Sequence, residues 1–219
     1  MTSIFTWDVY LVTDRAFSRG RTTLEIVRAA LEGGVSAVQL REKNLDTRDF
    51  YEEGMKIRDL LRERRVPLII NDRIDVAIAL DADGVHLGQT DMPVDVARNI
   101  LGPGRIIGLS VELPEHIDDN ALSHADYLAI SPVFFTSTKP EASRQWGLEG
   151  LKRARALTDV PLVAIGSVKR ENAGDIIQAG ADCVAVVTAI VSEDDPVSAT
   201  AALIAEVRKA KQARNSKSK

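Results

Sequence analysis

The sequence predicts an α/β protein, a (β/α)8 TIM barrel folded as a single domain over residues 1–219, and three observations carry that expectation. Short β-branched runs alternate with longer amphipathic segments between residues 9 and 207, the pattern of parallel strands joined by crossover helices. Eight such units fit the 219 residues, which suits a closed barrel. The first strand runs into Thr13-Asp14-Arg15, with no G-x-G-x-x-G nearby, so a doubly wound dinucleotide fold lacks its phosphate-binding turn.

The strands are expected at 9–13, 37–40, 68–70, 84–87, 106–109, 127–130, 162–165 and 183–187, each a run of mainly Val, Ile, Leu, Ala or Tyr of strand length and composition. Helical spacing fills the gaps. The helix at 73–80 is short, and the one at 113–123 is weakened by Asp118-Asp119-Asn120, which favours turns. An internal echo runs through Gly33-Gly34-Val35-Ser36-Ala37-Val38-Gln39, Asp81-Ala82-Asp83-Gly84-Val85-His86, His124-Ala125-Asp126-Tyr127-Leu128 and Gly180-Ala181-Asp182-Cys183-Val184. Each reads as a helix end turning into a strand, so the repeat is structural and not catalytic.

Composition narrows the function. The chain is 45% apolar and 27% charged, ordinary for a globular domain with a continuous core. A formal net charge of −4 gives no field to attract nucleic acid. No apolar run approaches the roughly 20 residues of a membrane span, and the N-terminus lacks a signal-peptide pattern, so a cytoplasmic protein without membrane partners is expected. Cys183 is the one cysteine, and its apolar neighbours predict a buried, inert thiol. The basic stretch 209–219 is expected to be a frayed helix end. A homo-oligomer is neither required nor excluded.

In such a barrel the site lies on the loops after the carboxyl ends of the strands, and nearly every strand here ends in polar residues. In Gln39-Leu40-Arg41-Glu42-Lys43, the strand's period of two points Gln39, Arg41 and Lys43 the same way. Two cations and an amide make an anion site; the competing reading is a surface cluster pairing Arg41 and Lys43 with Glu42 and Asp46. Asp72 and Asp91 each follow a strand, and two carboxylates beside phosphate oxygens are a usual way to hold Mg2+, although Asp72 is equally suited to cap the helix that follows. His86, His116 and His124 are too scattered for zinc, and His86 reads as a barrel-lining or packed imidazole. The segment 131–146 is long for a βα connection and carries Thr136-Ser137-Thr138-Lys139, which is either a phosphate-binding lid or a solvated loop. Gly166-Ser167 and Val187-Thr188 end the last two strands, where many barrels bind phosphate through backbone N–H groups. Gly166 equally suits a tight turn.

The set Tyr10-Leu11-Val12-Thr13-Asp14, Gln39-Leu40-Arg41-Glu42-Lys43, Asn71-Asp72-Arg73, Gly84-Val85-His86-Leu87-Gly88-Gln89 with Asp91, Ser110 and Thr136-x-Thr138-Lys139 closely resembles thiamine-phosphate synthase, over residues 10 to about 190. That family joins a pyrimidine diphosphate to a thiazole phosphate on a β/α barrel, forming thiamine phosphate and pyrophosphate. The resemblance implies that the segment Gln39, Leu40, Arg41, Glu42 and Lys43, with Asn71, meets the pyrimidine diphosphate, and that Asp72 and Asp91 bind Mg2+. It implies that Ser110 and Lys139 also contact the pyrimidine substrate, with Arg41, Lys43, Ser110 and Lys139 in catalytic roles. Thr136, Ser137 and Thr138, with Gly166, Val187 and Thr188, would hold the thiazole phosphate.

Three departures stand out: Gly166-Ser167 where the family usually has two glycines, Thr188 where it has serine, and Ser131-Pro132-Val133-Phe134-Phe135-Thr136 where it has Gly-Pro-x-Phe-Pro-Thr. A thiazole tautomerase of the same superfamily and a non-catalytic precursor-binding protein are the alternatives. Retention of Asp72, Asp91 and Lys139 favours the transferase, since an isomerase releases no pyrophosphate.

Overall fold

The structure, a computed structural model, describes residues 6–136 and 144–217. Eight parallel strands pair in sequence order and close into a barrel: β1 (Val9–Val12), β2 (Ala37–Leu40), β3 (Leu68–Asn71), β4 (Gly84–Leu87), β5 (Ile106–Val111), β6 (Tyr127–Ile130), β7 (Leu162–Ile165) and β8 (Cys183–Val186). Closure is made by β1 against β8, with Val9 opposite Val184 and Leu11 opposite Val186. The expected strands are all present. β5 runs two residues past its expected end because Ser110 and Val111 continue the pairing with β6, opposite Ala129 and Ile130.

The helices that cover the strands are α1 (Thr23–Glu32), α2 (Thr47–Arg64), α3 (Ile74–Ala79), α4 (Val94–Leu101), α5 (Asp119–His124), α6 (Gly147–Leu157), α7 (Arg170–Gln178), α8 (Thr188–Val191) and α9 (Pro196–Lys217). As expected, α3 is short, at six residues; the weak segment expected to be helical over 113–123 forms only a 3-10 turn at Pro114–His116 and the six-residue α5. Strand side chains alternate between two cores. Leu11, Leu40, Ile70 and Val85 pack outward beneath the helices, whereas Tyr10, Val12, Ile69, Tyr127 and Cys183 fill the barrel interior. Trp7 lies in that interior core, its ring centroid 5.4 Å from that of Tyr10. The Cys183 thiol is fully buried and burial pushes it up, in keeping with an inert thiol. No helix among the described residues is long and apolar enough to cross a membrane.

The internal echo has a physical purpose. The Asp83 carboxylate, just before β4, accepts the backbone N–H of Leu68 at the start of β3 (2.8 Å). Asp126, before β6, accepts from Ile107 in β5 (2.7 Å), and Asp182, before β8, accepts from Leu162 in β7 (3.0 Å). Ser36, before β2, does the same for the N–H of Asp8 (3.0 Å). Every second strand thus carries a side chain that satisfies a backbone donor at the amino end of its predecessor, tying the strands together in pairs.

Residues 209–217 of the tail expected to fray form the last turns of α9. α9 extends to Lys217 because its basic residues find buried carboxylates: Arg208 and Lys211 reach Asp8 (2.7 and 3.0 Å), and Arg214 reaches Asp182 (3.2 Å). Asp182 also binds Arg155 (2.9 Å) and is 9% exposed. Replacing it removes a carboxylate shared by two guanidinium groups and the N–H of Leu162 at the start of β7. Asp182→Ala should therefore lower stability by about 2–4 kcal/mol in urea denaturation. Catalytic constants measured well below the melting temperature should stay unchanged, because this contact lies at the barrel's amino end.

Candidate functional site

A cavity of about 360 Å³ opens at the carboxyl ends of the strands. Of the residues singled out in the sequence, Gln39, Arg41, Lys43, Asn71, Asp72, Asp91, Ser110, Thr136, Gly166 and Val187 line it. Leu40 and Glu42 do not. Leu40 is fully buried in the outer core, as its opposite parity on β2 requires, and the Glu42 carboxylate accepts a hydrogen bond from the Thr23 hydroxyl (3.2 Å). Thr188 opens α8, is exposed, and lines a neighbouring cavity with Lys169 and Ser192. Ser137, Thr138 and Lys139 lie outside the described residues. Tyr10, Asp14, His86, Gln89 and Glu112 also line the cavity. Strand parity marks Tyr10 and His86 as facing inward, and Asp14 and Gln89 follow strand ends within the motifs quoted above; Glu112 follows β5, and nothing local in the sequence separates it from an ordinary loop residue.

Arg41 and Lys43, the cations that line the cavity among the described residues, are each paired with a carboxylate from a different loop. Arg41 donates to Asp14 (2.8 Å), and its backbone N–H donates to the Thr13 hydroxyl (3.0 Å). Lys43 lies 3.8 Å from the Asp72 carboxylate. Neither pairs with Glu42 or Asp46, as a local surface cluster would require; Asp46 caps α2 by accepting the N–H of Asp49 (2.9 Å).

Asp72 does not cap α3, whose N-cap position is Arg73 with no side-chain bond. It instead occupies the centre of a three-residue turn at φ 60°, where Arg73 N–H donates to the Asn71 carbonyl (2.7 Å) and Asp72 N–H to the His86 carbonyl (2.9 Å). A non-glycine residue in this turn is strained by about 1–3 kcal/mol, a cost found chiefly at functional sites. Burial, then the neighbouring Asp91 carboxylate, push Asp72 up to about 6, with Lys43 acting the opposite way. Asp91 is itself held by the N–H of Gly88 (2.6 Å). Two carboxylates are therefore kept close together under partial desolvation, where a cation or a proton relieves their repulsion.

On the far rim, Gly166 sits at φ 111°, and a Cβ there would come within 2.6 Å of Pro132. Glycine is thus demanded by the packing of the segment after β6 against the turn after β7. Ser167 follows at φ 48°, a conformation that glycine adopts more easily. Its hydroxyl donates to the Phe135 carbonyl (2.5 Å), tying the two loops together.

A closed parallel barrel with a polar cavity at the carboxyl ends of its strands defines an enzyme that acts on small molecules. A family model described as thiamine monophosphate synthase matches residues 9–190, and the chain belongs to that family. It is 52% identical over 188 residues to the thiamine-phosphate synthase of Albidiferax ferrireducens, covering 86% of each chain. With that of Chloroflexus aurantiacus it shares 46% over 204 residues, 93% of this chain and 94% of the relative. Among solved structures, the thiamine phosphate pyrophosphorylase of Pyrococcus furiosus superposes with a TM-score of 0.86 at 40% identity, covering 94% of this chain and 97% of the other.

Glu42, beside the cavity, gives a pH-dependent test of the site's packing. Burial, then repulsion from Glu53, raise it to about 7. For an acid whose folded value exceeds its unfolded one, the ionised form is penalised in the folded state. The penalty is absent below about pH 4.5 and complete above about pH 7. After allowance for solvent screening, Glu42→Gln should raise the melting temperature at pH 8 by roughly 2–4 °C. At pH 4.5 it should leave it unchanged, as followed by circular dichroism.

Proposed function

We propose that this chain is a thiamine-phosphate synthase, a single-domain transferase. It joins 4-amino-2-methyl-5-hydroxymethylpyrimidine diphosphate to thiazole phosphate and releases pyrophosphate. The observation that carries the reading is the gathering of Gln39, Arg41, Lys43, Asn71 and Ser110 around the cavity that Asp72 and Asp91 also line, in a chain whose relatives bear that name.

The assignments follow charge and placement. Arg41 and Lys43, joined by Lys139 from the segment after β6, offset the diphosphate charge. Gln39, Asn71 and Ser110 orient the pyrimidine end, and the backbone around Leu40 and Glu42 holds the strand end from which Arg41 and Lys43 project. Thr136, Ser137 and Thr138 offer hydroxyls to the thiazole phosphate, with Gly166, Val187 and Thr188 on the facing rim. Asp72 and Asp91 fit Mg2+. They supply two hard oxygen donors, and no group of three or more His, Cys, Asp or Glu able to hold a metal exists among the described residues. Mg2+ is characteristically held by one or two carboxylates, with water and phosphate oxygens completing its shell. When bound, Mg2+ adds positive charge that stabilises the departing pyrophosphate.

In the reaction the C–O bond between the pyrimidine methylene and the diphosphate breaks, and the bonding pair leaves with pyrophosphate. Arg41, Lys43 and Lys139 stabilise that growing charge. The methylene, left cationic and conjugated with the aminopyrimidine ring, accepts the lone pair of the thiazole nitrogen, forming the C–N bond. No enzyme nucleophile takes part. The lining groups position the two reactants and exclude water from the cation.

Incubation with both substrates and Mg2+ should release pyrophosphate and form thiamine phosphate in equal amounts. A tautomerase or a precursor-binding protein would release none. Asp72→Ala combined with Asp91→Ala should abolish the Mg2+-dependent rate while the chain stays folded by circular dichroism, and full activity would refute the metal assignment. Arg41→Ala should weaken the pyrimidine diphosphate by about tenfold to a hundredfold, the worth of a charge-assisted hydrogen bond. The thiazole phosphate KM should change little; equal losses would mean that the two subsites are exchanged.

A further inference from the structure

Five polar side chains from five strands are joined in line across the barrel interior. Gln39 Nε2 on β2 donates to the Tyr10 hydroxyl on β1 (2.9 Å), and the Tyr10 and Tyr127 hydroxyls lie 3.0 Å apart. Tyr127, on β6, is 2.9 Å from His86 Nδ1 on β4, and His86 Nε2 is 2.9 Å from the Ser110 hydroxyl on β5. The chain has its own packing: the His86 and Tyr127 rings stack at 5.6 Å. A Cβ on Gly108 would meet the Tyr127 ring at 2.0 Å, so the glycine opposite is what admits that ring.

The direction of the protons follows from the first bond. The Tyr10 oxygen accepts from Gln39, and its own buried proton needs an acceptor, which the Tyr127 oxygen supplies. Burial pushes both phenols up, so each keeps its proton. The Tyr127 proton then goes to His86 Nδ1. A neutral imidazole with Nδ1 accepting carries its proton on Nε2, and that N–H donates to the Ser110 oxygen. The Ser110 proton is left to point into the cavity that Ser110 lines.

We infer that Tyr10, Tyr127 and His86 are positioning residues that make Ser110 a hydrogen-bond donor, aimed at a ring-nitrogen lone pair of the substrate pyrimidine. The choice of ring rests on the function proposed above; the proton order rests on the barrel interior alone. A substrate ring protonated at that nitrogen would meet a donor with a donor and be rejected.

Two measurements decide this. Tyr127→Phe should weaken pyrimidine diphosphate binding by about threefold to tenfold, the worth of one oriented hydrogen bond. In a Ser110→Ala background the same change should cost nothing more, because the hydroxyl it orients is gone. An equal loss in both backgrounds would mean that Tyr127 acts through packing and would overturn the inference. The second needs no change to the relay. Of the three histidines in the chain, His116 and His124 are replaced by Asn, and the nitrogen-15 spectrum of His86 is recorded. A single neutral tautomer with its proton on Nε2 is expected; a proton on Nδ1, or averaging over both nitrogens, overturns the inference. A chain that makes no pyrophosphate refutes the proposed function, while the His86 spectrum still decides the relay.

Discussion

Closure of the barrel is the constraint on which the rest depends. Once β1 pairs with β8, no strand has a free edge, and the loops after the strands must meet around one opening. The strands are short, seven of four residues and one of six, so small errors of register would displace every lining group. The carboxylates of Asp83, Asp126 and Asp182, with the Ser36 hydroxyl, guard against this by fixing the amino ends in pairs. α9 reinforces the same end, with Arg208 and Lys211 on Asp8 and Arg214 on Asp182. Stability is thus concentrated at one end of the barrel and chemistry at the other.

At the mouth the electrostatics are arranged before any ligand arrives. Arg41 is oriented by Asp14 and by the backbone bond to Thr13, and Lys43 leans toward Asp72. An incoming diphosphate in the proposed reaction exchanges with carboxylate partners and does not have to order mobile side chains, which lowers the reorganisation the reaction demands. The strained turn at Asp72 belongs to the same arrangement, since it turns a carboxylate toward Asp91 at the expense of a relaxed backbone.

The two ends of the cavity differ in character. The end proposed for the pyrimidine is built on strands, with Gln39, Asn71 and Ser110 each 9% exposed or less. The opposite rim is built on turns, after β6, β7 and β8. Ser167 at φ 48° is accommodated through its bond to the Phe135 carbonyl, so the serine exchanges some backbone freedom for a cross-link between two loops.

The strand count, the inward parity of Gln39, Arg41 and Lys43, and the gathering of Asp72 and Asp91 could be read from the sequence, because hydrophobic period and strand-end polarity are local signals. The same parity excludes Leu40, which the structure buries under the helices. What the sequence could not disclose were partners far apart along the chain: Asp14 for Arg41, Asp8 for the expected frayed tail, and the Gln39-to-Ser110 line across the interior. Each depends on which strands closure brings face to face. Local residue chemistry determined what each group can do; only the closed barrel decided which group it does it with.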